Sequence, residues 1–145
     1  MSYHEYISNV TCKAGDLSKS TFTQADGEAF EQWLVNYIAT HDGVCQMYGG
    51  SIDLIFAWDF TYGPDGRLVD LSAHCPQDDY LPHFIFAELE GIIRFFRERG
   101  VRFSLAFNKA GEDVDDRWRF TVTHGGAWVA RGRLVYGKRE RVVVV

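Results

Sequence analysis

Cysteine is scarce in this sequence, and long apolar runs are absent. The 145 residues contain three cysteines, Cys12, Cys45 and Cys75, which lie far apart and form no C-x-x-C pair. An odd and sparse set excludes a secreted disulfide framework and favours a reducing compartment. No run approaches the roughly 18 apolar residues of a membrane span, and residues 1–10 show no signal-peptide pattern. We therefore expect a cytoplasmic protein without membrane association.

Sequence motifs of common catalytic and nucleotide-binding sites are also missing. The chain contains no Walker A, G-x-G-x-x-G, G-x-S-x-G or H-E-x-x-H pattern. His74 and Cys75 are adjacent, but on a strand their side chains would point to opposite faces. The sequence therefore favours a non-catalytic protein and indicates no cofactor and no metal ion.

Apolar and aromatic residues are abundant, at 46% and 15% of the chain. This content excludes a disordered chain, because such chains cannot bury enough apolar surface to offset the entropy of ordering. The length is close to the commonest size of a single domain, and no linker or repeat divides the chain. We expect one domain spanning residues 1–145.

Charge is divided unevenly along the chain. Residues 1–90 carry three bases and fourteen acids, whereas residues 91–145 carry twelve bases and six acids. The formal charge of −5 therefore conceals segments of −11 and +6. Such a division marks a site for a charged partner, or the two segments interleave and neutralise each other. We favour the second interpretation, since no domain boundary separates the segments.

Periodicity predicts the first half of the fold. Residues 3–10 alternate loosely as a strand, and Thr23 or Asp26 can cap a helix that ends at Asp42-Gly43. The helix has a core-facing stripe at helical spacing: Phe30, Trp33, Leu34, Tyr37 and Ile38. Residues 52–60 and 67–73 then form a hairpin about a turn at residues 63–66.

The register of this hairpin decides where two carboxylates lie. The register that keeps one face apolar pairs Trp58 with Leu71, whereas a one-residue bulge would pair it with Ser72. The first register places Asp59 directly opposite Asp70. Like charges at such positions are destabilising unless they bind a cation, meet arginines or share a proton. The pair is therefore a candidate acid–base site, or two solvated carboxylates beside an arginine.

A second helix is predicted from Leu81-Pro82 to Arg99, with Gly100 as its terminator. Its inner face contains Ile85, Leu89, Ile92 and Phe96. This apolar surface is widened by four further residues: Phe84, Phe86, Ile93 and Phe95. The helix is therefore either unusually buried or contacts a partner.

A strand over residues 101–107, an acidic loop over 108–116 and a last hairpin follow the second helix. In that hairpin, residues 117–123 pair with 127–136 about Gly125-Gly126, and the valines at 142–145 form an edge strand or an unpaired tail. The first six elements match βαββαβ. We therefore predict an α+β fold, a ferredoxin-like plait whose antiparallel sheet is extended by the C-terminal β-hairpin. One face of that sheet would lack a helix and be free for a partner or a second subunit.

Three further clusters are candidate sites. Residue types that bind metal ions occur at the predicted junction between the second hairpin strand and the second helix: His74, Cys75, Asp78, Asp79 and His83. Their spacing does not match that of structural zinc sites. One loop contains four acids that could contact a basic protein surface: Glu112, Asp113, Asp115 and Asp116. Arginines flank the aromatic residues of the last hairpin, an arrangement that can stack bases or hold phosphates: Arg117, Arg119, Arg131 and Arg133. The acidic chain and the missing RNP signature argue against nucleic acid.

Residues 84–122 contain a strand ending in Gly111-Glu112-Asp113 and then the run Asp116 to Phe120, before a glycine turn and a closing strand. This part of the chain resembles an uncharacterised group of small bacterial and phage proteins. The resemblance implies the fold, but it implies no activity and no site residues. The proline-rich N-terminal strand of that group is absent here.

Three functions are therefore open. The first is a small acidic binding protein that blocks or modulates a macromolecular partner, as phage inhibitors and immunity proteins do. Its acidic loop, together with Asp59 and Asp70, would contact a basic surface of that partner. A homodimer is compatible with it. The second is a small-molecule or metal-binding enzyme site formed by Asp59, Asp70 and the region from His74 to His83. The third is nucleic-acid binding by the arginine-rich hairpin.

Overall fold

A computed structural model describes residues 5–43, 52–76, 83–111 and 117–132. This part of the chain forms, in order, β1 (Glu5–Ala14), α1 (Gln24–His41), β2 (Ala57–Tyr62), β3 (Leu68–His74), α2 (Ile85–Glu98), β4 (Phe103–Gly111), β5 (Arg117–Thr123) and β6 (Gly126–Gly132). All strand pairs are antiparallel, so the predicted α+β class is confirmed. Within these residues, neither helix is long and apolar enough to cross a membrane.

The strands form two hydrogen-bonded sheets. One has the order β1-β4-β5-β6, and the other is the hairpin β2-β3. Strands β1 and β3 contact each other, but no ladder joins them among the described residues. The hydrogen-bonded strand order therefore differs from the single sheet predicted for the plait. The last hairpin extends the sheet from β4, as predicted.

Helix α1 begins and ends where the sequence predicts. The backbone N–H of Thr23 donates to Asp26 Oδ2 at 2.8 Å, so the two candidate caps act together in a capping box. Trp33 of the predicted stripe is half-buried. The other four residues of the stripe are buried: Phe30, Leu34, Tyr37 and Ile38. Burial of this stripe places α1 against α2.

Gly91 within α2 and Gly100 after its end permit close packing. A Cβ atom at Gly91 would lie 2.5 Å from Leu34 Cδ1 and 2.9 Å from Tyr37 Cδ1, so the two helices approach closely here. Gly100 follows the helix and has a φ of +66°, a left-handed backbone conformation that residues other than glycine rarely adopt. A Cβ at Gly100 would also lie 2.8 Å from the carbonyl oxygen of Lys19.

Phe96 of α2 lies at the centre of the core and is fully buried. Its ring contacts rings from β2, β4, α1 and the segment before α1, with centroid distances of 5.0–6.2 Å. These partners are Phe22, Phe30, Trp58, Phe60 and Phe103. Aromatic packing therefore joins the two sheets where no ladder joins them.

The predicted register of the β2–β3 hairpin is wrong by two residues. Trp58 pairs with Ala73 and Asp59 with Ser72. One residue of the shift comes from the turn, where the Gly63 N–H donates to the carbonyl of Arg67 instead of Gly63 facing Gly66, and the other comes from a bulge between Thr61 and Tyr62 on the ladder. The start of β3 is hydrogen-bonded to the segment before α1, because the Leu68 N–H donates to the Phe22 carbonyl at 3.0 Å. Val69 has no partner residue in the β2–β3 ladder. A shift of two preserves which side chains share a face, so the hydrophobic pattern alone does not reveal it.

Several element boundaries also differ from the prediction. Strand β2 starts at Ala57 rather than at residue 52, and β1 and β4 continue to Ala14 and Gly111 because they pair on both sides of an irregularity between Ser8 and Thr11. The last hairpin turns at His124-Gly125 rather than Gly125-Gly126, since Thr123 pairs with Gly126. The predicted helix start at residues 81–82, the acids at 112–116 and the C-terminal segment at 133–145 lie outside the described residues.

We predict that Gly91→Ala destabilises the protein despite the higher helix propensity of alanine. The propensity gain is about 1 kcal/mol, and the overpacking against Leu34 and Tyr37 costs about 1–3 kcal/mol. Denaturant unfolding should therefore show a net loss of up to about 2 kcal/mol. Gly125→Ala is the control, because a Cβ there meets only Thr123 Oγ1, at 3.5 Å. A stabilised Gly91→Ala variant would contradict the close helix approach.

Candidate functional site

The two hairpin carboxylates do not face each other. Asp59 pairs with Ser72, and Asp70 pairs with Thr61, so the predicted Asp59–Asp70 pair is wrong. The exposed His74 lies beside Asp59, with Nδ1 at 3.9 Å from Oδ2. Asp70 Oδ1 accepts the N–H of Leu71 at 2.9 Å. The register thus removes the geometry for a shared proton, while partner binding by these two acids stays a prediction.

The histidines near the second helix have different partners. His74 lies near Asp59, whereas His83 Nε2 is 3.2 Å from Asp42 Oδ1. The side chain of Cys75 is half-buried. No group of three metal-ligating side chains occurs within the residues that the structure describes. Asp78 and Asp79 lie outside those residues.

The arginines of the last hairpin are divided between the two faces of its sheet. Arg117 and Arg119 alternate with the buried Phe120 and so point away from the core. Arg131 is paired with Trp118 on the other face, and its guanidinium lies 5.3 Å from a Trp118 ring centroid. The structure therefore does not gather these arginines into one patch. Arg133 and the acids Glu112, Asp113, Asp115 and Asp116 lie outside the described residues.

An apolar groove lies between α2 and the β5–β6 hairpin. Its volume is about 360 Å³, and its apolar lining includes Leu89, Ile93 and Phe120. Phe86 also lines it and is 66% exposed, although it lies 6.1 Å from the ring of Phe120. Phe84, Ile93 and Phe95 are buried, so Phe86 alone of the four additional apolar residues of α2 faces solvent.

Strand β6 contributes two exposed apolar residues to the lining of the same groove. Val129, which is 44% exposed, and Trp128 both line it. Three of the five exposed large hydrophobic residues in the described part of the chain are therefore at this groove; the other two, Tyr6 and Val69, lie elsewhere. Clustered exposed apolar side chains mark interaction sites more reliably than single ones.

Charged side chains of α2 form one rim of the groove. Arg94 Nη2 lies 3.1 Å from Glu90 Oε1, so these two neighbours form an exposed ion pair. Arg97 uses Nε to donate to the His124 carbonyl at 2.9 Å, which fixes the guanidinium beside the last turn. Since Glu90 offsets only one arginine, the rim has a net positive charge.

Glu88 is a buried carboxylate that the sequence analysis missed. Its side chain is fully buried, and its two oxygens accept the backbone N–H groups of Ile55 and Phe56 at 2.8 and 3.0 Å. Burial raises the pKa of Glu88 from 4.5 to about 7, and the two hydrogen bonds oppose that rise. A signal was present: Glu88 interrupts the apolar stripe of α2 between Ile85 and Ile92. The carboxylate fixes the segment before β2 to the helix.

Comparisons with known proteins identify no relative of this chain. No protein-family model, no curated protein and no solved structure matches it. The resemblance of residues 84–122 to small bacterial and phage proteins therefore stays a prediction, and the function is inferred from the residues of this chain.

We predict that Glu88 makes stability decrease as pH rises. Its pKa is higher in the folded than in the unfolded protein, so the folded state binds more protons between pH 4.5 and 7. The stabilisation is complete below the unfolded pKa and is lost as pH rises through the folded pKa. Over that pH window, the free energy of unfolding should fall by about 3 kcal/mol.

Glu88→Gln separates this contribution from those of other titrating groups. The amide offers one acceptor for two N–H donors, so the variant is less stable than the wild type at low pH by about 1–3 kcal/mol. Because the amide does not titrate, the difference between the two proteins should shrink by about 2–3 kcal/mol from pH 5 to pH 8. Denaturant unfolding at several pH values measures it, and a pH-independent difference would refute the assignment.

Proposed function

We propose that this protein is a non-catalytic binding protein that inhibits or modulates another protein, and that it docks through the groove between α2 and β6. The observation that carries the proposal is the exposed Phe86 beside Val129 at the edge of an apolar groove. Burial of such side chains at an interface removes apolar area from water, which is the main favourable contribution to association.

The position of Phe86 supports a surface that is built for contact. Ile92 and Phe96 fix α2 in the core, so the exposed phenylalanine is presented by a rigid helix. The stacked rings of Phe107 and Phe120, 4.8 Å apart, support the floor of the groove from β4 and β5. A preorganised surface loses little conformational entropy on binding.

The rim indicates the chemistry of the partner. Arg94 and Arg97 outnumber Glu90, so a partner segment with apolar side chains and an adjacent carboxylate would complement the groove. The sequence also predicts contact with a basic surface of a partner, but through a different region of this protein. That region consists of the acidic residues Glu112, Asp113, Asp115, Asp116, Asp59 and Asp70. Both regions can contact one protein if its surface carries both charges.

We also propose that β1 to β4 form one ferredoxin-like plait, whose sheet the β5–β6 hairpin extends. The proximity of β1 and β3 supports it, because the plait places these two strands side by side. Backbone amide exchange would test this: protected amides along facing edges of β1 and β3 are expected, and rapid exchange along both edges would refute it.

The docking surface is tested with alanine variants of the full chain. A partner recovered by cross-linking in the cells that make the protein is first purified, and its dissociation constant is then measured for each variant. Phe86→Ala and Val129→Ala should weaken binding by about tenfold or more, as expected when an interface anchor is truncated. Val69→Ala is the matched control, because Val69 is 55% exposed but lies outside the groove.

Two results would overturn the proposal. Equal affinities of the Phe86→Ala and Val69→Ala variants would show that the groove is not the docking surface. A dimer of the wild-type chain that light scattering detects, and that Phe86→Ala dissociates, would show that a second copy occupies the groove instead of a partner protein.

A further inference from the structure

A second concavity, between α1 and β2, differs from the groove in both its walls and its charge. Its volume is about 450 Å³, and four aromatic residues line it: Phe30, Phe56, Trp58 and Phe60. Among the described residues, its charged lining consists of Glu31 and Asp53, with no basic side chain. We propose that this aromatic, acidic cavity binds a small organic cation of the alkylammonium class.

The aromatic rings form two kinds of wall. Trp58 and Phe60 are nearly parallel, with an interplanar angle of 12° and centroids 6.4 Å apart. Phe30 is perpendicular to both, at 84°, with centroid distances of 6.0 and 5.7 Å. The face of an aromatic ring attracts a cation through its quadrupole, and several rings at right angles give a cation more than one such contact.

The carboxylates supply the complementary charge. Glu31 and Asp53 are exposed, and no described cation forms an ion pair with either of them. The sequence next to the lining residues does not supply a base: residues 44–51 contain no charged residue, and residues 77–82 contain only the acids Asp78 and Asp79. The cavity therefore has a negative potential that a cation, but not an anion, would reduce.

Two features keep the cavity in shape without a ligand. Phe56 is fixed by the hydrogen bond from its N–H to Glu88, so this wall is attached to α2. Gly27 of α1 leaves room for the strand, since a Cβ there would lie 3.2 Å from Phe60 Cδ2 and would overlap the hydroxyl group of Tyr62. In addition, the indole N–H of Trp58 is buried and has no acceptor among the described residues.

Choline and its uncharged isostere 3,3-dimethyl-1-butanol test the proposal. The two have the same shape, so a difference in affinity reports the charge. In an NMR titration at constant ionic strength, choline should shift the signals of Phe56 and of the Trp58 indole N–H saturably. The isostere should bind at least about fivefold more weakly, which corresponds to a modest cation–π contribution. Equal affinities, or no saturable shift with choline, would overturn the proposal.

Variants then locate the site. Asp53→Asn and Glu31→Gln should each weaken choline binding by about two- to fivefold, the effect of one exposed charge at close range. Asp59→Asn is the matched control, because Asp59 neighbours Trp58 on β2 but does not line the cavity. These substitutions are on exposed side chains, and unchanged thermal unfolding would show that the fold is kept. Equal effects of Asp53→Asn and Asp59→Asn would refute this cavity as the binding site.

Discussion

The packing of the Phe96 ring is the constraint on which the arrangement of the two sheets depends. No ladder joins the β2–β3 hairpin to the four-stranded sheet in the described residues, so side chains must hold them together. Phe96 contacts Phe103 of the larger sheet and both Trp58 and Phe60 of the hairpin. Rings interlocked at steep angles tolerate little displacement, because the interior of a protein is packed as densely as an organic crystal.

Both proposed binding surfaces are formed by elements that this core holds in place. The groove uses the exposed edge of α2, whose opposite side contains Phe96, and the cavity uses the side of β2 that carries Trp58 and Phe60. Glu88 adds a polar connection between α2 and the segment that leads into β2. The protein thus presents one apolar surface with a positive rim and one aromatic surface with negative charge. Surfaces of such different chemistry discriminate between ligands by what each repels as well as by what it attracts.

Local patterns in the sequence predict the helices and the strand faces well. The stripe from Phe30 to Ile38 and the alternation in β4 and β5 depend only on spacing along one element, so the prediction needs no knowledge of the neighbours. The hairpin register and the separation of the sheets depend on contacts between distant segments. The hydrogen bond from Leu68 to Phe22 is an example, since nothing near Leu68 in the sequence indicates it.

The binding surfaces are predicted less completely than the fold. The surplus of apolar residues on α2 indicates a contact surface, but only the position of β6 decides that Phe86 stays exposed while Phe95 is buried. The cavity is harder to predict, because Asp53 and Trp58 approach Glu31 only after α1 and β2 pack together. Glu88 was visible as a charge in an apolar stripe, whereas its partners, two backbone N–H groups of an irregular segment, have no sequence pattern at all.

The bulge at Val69 gives the β2–β3 hairpin a position where chain length can vary. The ladder is regular from the Ala57–His74 pair to the Thr61–Asp70 pair and resumes at Tyr62–Leu68, and the strand has two successive exposed residues, Val69 and Asp70, where strict alternation would place one. Loss of Val69 during evolution would make these pairs continuous without moving Trp58 or Leu71 to the opposite face. A one-residue gap at this point in a homologous sequence would therefore indicate a smoother hairpin with the same core, rather than a different fold.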